Sequence, residues 1–229
     1  MSAPRRTRFL RDNGLTLAFL LLLLLSLVAQ AFTGVTEFNQ QQVVDGAQQV
    51  SLWQYVASSS FGVDVAENWQ SEYLQFALYI VATVWLVQRG SSESKKLDEI
   101  GTQSDKEQLV GRHAESDSPA WARAGGLRTA LYGRSLGGVM AFYFLMSLAA
   151  QSVAGRAAYN LGRLHQHEDP VTWLGYATSA DFWNRTTQNW QSEFLAVASM
   201  AAFAIYLRQR GSPESKLVGA SHEATAQDA

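Results

Sequence analysis

The chain has 229 residues, a formal net charge of −2 and no cysteine. Charged residues make up 17% against a usual ~25%, and hydrophobic residues 47%, a mixture that suits apolar segments separated by polar loops. The lack of a basic excess argues against a nucleic-acid partner, and the lack of cysteine excludes disulfides, thiolate metal sites and cysteine nucleophiles.

In chain order, residues 1–13 carry Arg5, Arg6, Arg8 and Arg11 and precede a first apolar segment over about 14–34. From Leu15 to Thr33 there is no charge, and Leu20 to Leu25 is an unbroken leucine run. About 20 apolar residues, at 1.5 Å rise each, span a ~30 Å hydrocarbon core. A polar segment with Trp53, Tyr55 and Phe61 follows, read as short helices at the outer membrane interface. A second, weaker apolar segment is expected over about 69–88, with Trp69 as its interfacial anchor and Arg89 reaching headgroups at the other end. Residues 91–132 are polar and without a helical stripe, which predicts a flexible cytoplasmic linker. The pattern then recurs over 133–211: an apolar segment at about 136–155, an external segment, and a second crossing at about 190–208 between Trp190 and Arg210. Within this external segment Asp169-Pro170 reads as a helix start. Residues 212–229 close the chain as a polar tail.

The recurrence is a duplication. Residues 14–97 align without a gap on 135–218, with 27 of 84 positions identical and gathered in blocks. Gly34 falls on Gly155, Asn39 on Asn160, Tyr55 on Tyr176 and Phe61 on Phe182. Asn68-Trp69-Gln70-Ser71-Glu72 recurs whole at 189–193, and Gln-Arg-Gly-Ser-x-Glu-Ser-Lys closes both copies. The expected fold is therefore an all-α membrane protein of four transmembrane helices, built from two hairpins in the same orientation. Basic residues concentrate before the first segment and between the second and third, so both ends and the linker are placed in the cytoplasm. The first segment also resembles a signal peptide, with Ala29-Gln30-Ala31 as the cleavage pattern. Ala150-Gln151-Ser152 fills the same place deep in the chain, which favours an uncleaved anchor.

The repeated Asn-Trp-Gln-Ser-Glu block is the candidate polar site. Its structural reading makes Asn68 and Asn189 helix caps and puts Glu72 and Glu193 in a first helical turn. The functional reading rests on depth. Each hairpin would bring Gln30 (with Ser26) level with Gln70, Ser71 and Glu72, and Gln151 level with Gln191, Ser192 and Glu193. That predicts two polar clusters about a pseudo-twofold axis along the membrane normal. His165 and His167 are a weak metal candidate, since the other copy has no histidine there. Gly90 and Gly211 read as helix C-caps followed by headgroup-facing basic residues. No cofactor is implied, and no catalytic signature is present.

The Tyr-x-x-Ser-x-x-Phe spacing, Asn-Trp-Gln-Ser-Glu-Phe-Leu and Gln-Arg-Gly-Ser-Pro-Glu-Ser-Lys together resemble a family of bacterial inner-membrane proteins of unknown function. The resemblance implies a bacterial cytoplasmic-membrane location and brings no established activity. The expected role is a non-enzymatic structural or interaction module, surrounded by lipid, with a homo-oligomeric or membrane-protein partner. The alternative is a small transporter or channel using the Glu72 and Glu193 pair.

Overall fold

The computed structural model describes residues 5–226, with side chains from residue 8 onward. The expected cytoplasmic ends at 1–4 and 227–229 lie outside the described residues. Every regular element among the described residues is helical. The duplication is visible element by element. Helices α2 (Gly14–Val44), α3 (Leu52–Val56) and α4 (Ser59–Ala82) are followed by α7 (Ser135–His165), α8 (Trp173–Ala177) and α9 (Ala180–Tyr206). A short α1 (Arg5–Asp12) leads in, and α5 (Ala120–Arg123) and α6 (Gly126–Tyr132) lie between the copies. The linker over 91–132, expected to be unstructured, thus contains two short helices.

Among the described residues two helices, α2 and α7, are long and apolar enough to cross a membrane. The other two expected spans do not reach that length and apolarity on their own. Helices α4 and α9 begin about ten residues before Trp69 and Trp190 and stop at Ala82 and Tyr206, short of the expected 88 and 208. They carry Asp64, Glu67 and Glu72, and Asp181, Arg185 and Glu193, which break the apolar run. Local chemistry explains the earlier starts. Ser58 Oγ accepts from the Phe61 amide and Ser179 Oγ from the Phe182 amide, satisfying an otherwise orphaned donor at each helix start. Asn68 and Asn189 are therefore interior residues, not caps. Likewise α8 is capped by Thr172, not begun at Asp169-Pro170.

Helices α2 and α7 run about ten residues past the expected ends, and the extra turns hold the connection to the next helix. Asn39 Nδ2 donates to the Val50 carbonyl at 2.8 Å while its Oδ1 accepts from the Val50 amide at 2.7 Å. Asn160 makes the same pair with Val171, at 3.0 and 2.8 Å. One turn nearer the apolar span, Tyr55 lies over Gly34 and Tyr176 over Gly155, each ring also packing edge-on against Phe61 or Phe182. The two glycines are needed for space. A Cβ on Gly34 would come within 2.9 Å of Tyr55 Cε1, and one on Gly155 within 2.8 Å of Tyr176 Cε1.

The two hairpins join asymmetrically. Helix α4 packs antiparallel along α7 over most of its length: Gly62 faces Ala154, Tyr73 stacks on Tyr143 with centroids 5.1 Å apart, and Ile80 and Val81 face Gly137. It also runs parallel to α9. Helix α2, the symmetry counterpart of α7, packs on α3 and stays exposed along nearly its whole length. Gly62 is replaced by Trp183 at the corresponding place in α9, so the second copy lacks the small residue that permits close approach.

Beyond α4 and α9 the repeated closing motif folds into matching loops, not C-caps. Ser94 Oγ accepts from the Gln88 amide and Ser215 Oγ from the Gln209 amide. Gly90 and Gly211 supply positive φ angles of 86° and 84°. Lys216 is buried, its ammonium donating to the carbonyls of Gly90, Ser221, His222 and Ala224 at 2.6–3.2 Å. The tail to residue 226 is thereby fixed against the first copy's loop.

Gly34→Ala and Gly155→Ala should each lower stability by about 1–3 kcal/mol through overpacking against the tyrosine ring. The losses should add, because the sites share no partner. Thermal unfolding in detergent micelles measures both.

Candidate functional site

Buried polar side chains concentrate where α4, α7 and α9 meet. The helix period places Gln70 and Ser71 on the face of α4 that meets α7 and α9. Ser147, Gln151 and Ser152 lie on the facing stripe of α7. Gln70 and Gln151 are both 0% exposed. Gln70 Oε1 accepts from Trp190 Nε1 at 2.9 Å, and Gln151 Nε2 donates to Thr186 Oγ1 at 3.1 Å. Thr186 passes the chain on to the Phe182 carbonyl at 2.7 Å. Gln70 Nε2 and Gln151 Oε1 have no partner within the protein. Ser152 accepts from Trp173 Nε1 at 3.0 Å, tying α8 to the same helix face.

The seam between α4 and α9 carries the charge. Arg185 donates from Nε to Glu67 and from Nη2 to Asp64, each at 2.7 Å. Asp64 and Arg185 occupy the same position in the two copies. These equivalent residues thus meet directly between the parallel helices α4 and α9. Further along the same two helices Glu193 is half-buried on α9 and Glu72 is exposed on α4. At the C-terminal ends of α2 and α7, His165 Nδ1 lies 3.5 Å from Asp45 Oδ2. His165 and His167 form no group of metal-ligating side chains among the described residues.

The block expected to form two equivalent clusters is thus divided. Gln70, Ser71, Gln151 and Trp190 enter one central core. Gln191 and Ser192 are exposed on α9, and Gln30 is half-buried on α2 without a side-chain hydrogen bond to Gln70 or Glu72. The first hairpin has Val65 where the second has Thr186, so the Gln–Thr bond that links α7 to α9 has no counterpart between α2 and α4. Between those two helices lies an apolar groove of about 470 Å³, lined by Leu24, Val28, Phe32, Trp53, Phe61 and Trp69. Asn68 and Asn189 bond back to the carbonyls of Asp64 and Arg185. Arg89 pairs with Glu223 at 3.4 Å on the surface, and Arg210 is exposed. Arg208 instead of Arg210 closes α9, donating to the carbonyls of Ala204, Ile205 and Leu207.

Asp64, Glu67, Arg185 and Thr186 were not among the residues singled out from sequence. A readable signal existed for one pair: an aspartate and an arginine at the same position of the two copies are opposite charges that can pair if the two helices meet.

Trp190→Phe should cost about 1–3 kcal/mol, because it strips the last partner from the buried Gln70 amide. Trp69→Phe, at the equivalent exposed position, should change stability far less. Thermal unfolding of the two variants side by side tests this asymmetry.

No curated protein and no solved structure matches the chain. One family profile does, covering residues 6–227, described as a domain of unknown function. The chain therefore belongs to the DUF6766 family.

Proposed function

We propose that the protein is a four-pass module of the bacterial cytoplasmic membrane with both ends in the cytoplasm, serving assembly or interaction and not catalysis. The observation that carries this reading is the antiparallel packing of α4 along α7, from Gly62 at one end to Val81 at the other. A helix paired with a membrane span over that length shares its depth. It tolerates Gln70 and Ser71 there because they face neighbouring helices and not lipid, while Asn68 and Glu72 lie on its exposed side. Gln70, Ser71 and Gln151 are buried in that way. At 24 and 27 residues, α4 and α9 measure about 36 and 40 Å, enough to return across a ~30 Å core. The basic linker then stays on the same side as the arginine-rich start, in keeping with the bias of Lys and Arg to the cytoplasmic side. No nucleophile–base pair or cofactor motif competes with this reading. The partners it implies are lipid and a membrane protein, which includes further copies of the chain.

The cysteine-free chain makes the topology directly testable. In intact cells a membrane-impermeant maleimide should label Gln48→Cys, and should label Ser104→Cys only after permeabilisation. Labelling of both without permeabilisation would place the linker outside and overturn the four-pass reading.

A second reading, ion or proton passage, draws on Glu72 and Glu193, carboxylates at the same position of the two copies on the paired helices α4 and α9. Under it, Glu72→Gln with Glu193→Gln should abolish flux into liposomes while leaving insertion intact. If wild-type protein gives no flux above empty liposomes, the structural role stands alone.

A further inference from the structure

The contact between α4 and α7 has a symmetry counterpart that the single chain leaves open. The α7 stripe facing α4 runs through Gly137, Phe144, Ser147, Gln151 and Ala154. Shifted by one repeat it becomes Thr16, Leu23, Ser26, Gln30 and Thr33 on α2, at the three- and four-residue steps of one helix face. Between Leu15 and Thr33 these include all the polar side chains that α2 has. A helix meant to face lipid on every side would not collect Thr16, Ser26, Gln30 and Thr33 in one line, where each polar group meeting hydrocarbon is unfavourable. Thr33 bonds back to its own helix, whereas the amide of Gln30 cannot be satisfied so simply.

The complementary face exists on α9. The α4 residues that meet α7, among them Val63, Ala66, Gln70, Tyr73 and Ala77, correspond to Asn184, Thr187, Gln191, Phe194 and Ala198, all exposed. Within the chain α2 packs on α3 and leaves this face uncovered. Trp183, in the place of Gly62, wedges only the outer end. The inner half of α9, from Phe194 to Ala202, is rich in alanine and open to close approach.

We propose that a second copy of this chain completes the contact, with the inner half of α9 in each protomer packing on the α2 stripe of the other. Two such contacts close a twofold ring of four hairpins, in which every polar stripe is covered and Ser26 comes level with Gln191, and Gln30 with Thr187, of the partner subunit. The argument from polar groups in lipid rests on the membrane reading above. The argument from the repeated interface does not.

Val81 faces Gly137 within the chain, where a Cβ on Gly137 would lie 3.5 Å from Val81 Cγ2. The corresponding pair between copies is Ala202 and Thr16, both exposed. Thr16→Cys and Ala202→Cys, placed on separately tagged chains and co-expressed, should form a disulfide-linked dimer on oxidation of isolated membranes. Neither variant alone should do so. Gly137→Cys with Val81→Cys in one chain should cross-link at monomer mass, which checks the template. Gln30→Leu or Gln191→Leu should weaken the dimer about five- to tenfold, the scale of an interhelical hydrogen bond. A Thr16→Cys, Ala202→Cys double variant that links within a monomer would overturn the proposal, showing that α2 closes on its own α9. Absence of any dimer in protein that resists alkaline washing would overturn it while leaving the membrane reading intact. Release of the protein by that wash would remove the membrane reading as well.

Discussion

The close approach of α4 to α7 is the constraint on which the remaining arrangement depends. It requires small residues at matched heights, Gly62 against Ala154 and Gly137 against Val81, so that the helices meet along their length. Once they do, the face of α4 carrying Gln70 and Ser71 has nowhere to go but inward. A buried amide must then find partners or cost stability, and Trp190 of α9 supplies one. The aromatic residue that sequence suggests as a membrane-surface anchor is in this way recruited as a hydrogen-bond donor, while its twin Trp69 lines an open groove.

The same contact explains why two copies of one hairpin do not behave alike. Each hairpin is locked internally by the same devices: the Asn39 and Asn160 clamps, the tyrosine over glycine, and the serine caps that start α4 and α9. These are short-range and depend only on residues the duplication kept. Three of the positions that differ lie where the copies meet. Gly62 against Trp183 decides which side may close, Val65 against Thr186 decides which pair of helices is hydrogen-bonded, and Asp64 against Arg185 turns a self-contact into an ion pair. Had the copies stayed identical at the last position, two like charges would face each other between α4 and α9.

The closing motif shows how a repeated sequence can be structural throughout. Gly90 and Gly211 turn the chain, Ser94 and Ser215 hold the loop amides, and Lys216 gathers four carbonyl oxygens into a buried site. Its equivalent Lys95 reaches the Gly101 carbonyl alone, because only the second loop has a tail folding back over its partner. A lysine so placed links the end of the chain to the middle, joining the inner ends of both hairpins.

The sequence alone determined the duplication, the helical class, the two strongly apolar helices and the presence of a hairpin with a short helix in each connection. All of these follow from periodicity, length and repetition, which are local or self-referential properties. Some site residues were legible for the same reason, since the Asn-Trp-Gln-Ser-Glu block stood out by recurring whole. What only the tertiary structure decided is which of those recurring residues is buried. Gln70 and Gln191 have identical neighbours in sequence, yet one is enclosed and the other exposed. Their difference comes from a helix packed against one face and not the other, a contact that needs Gly62 on one helix and Gly137 and Ala154 on another far along the chain. No window of sequence contains that information, because helix packing is decided where two distant surfaces fit.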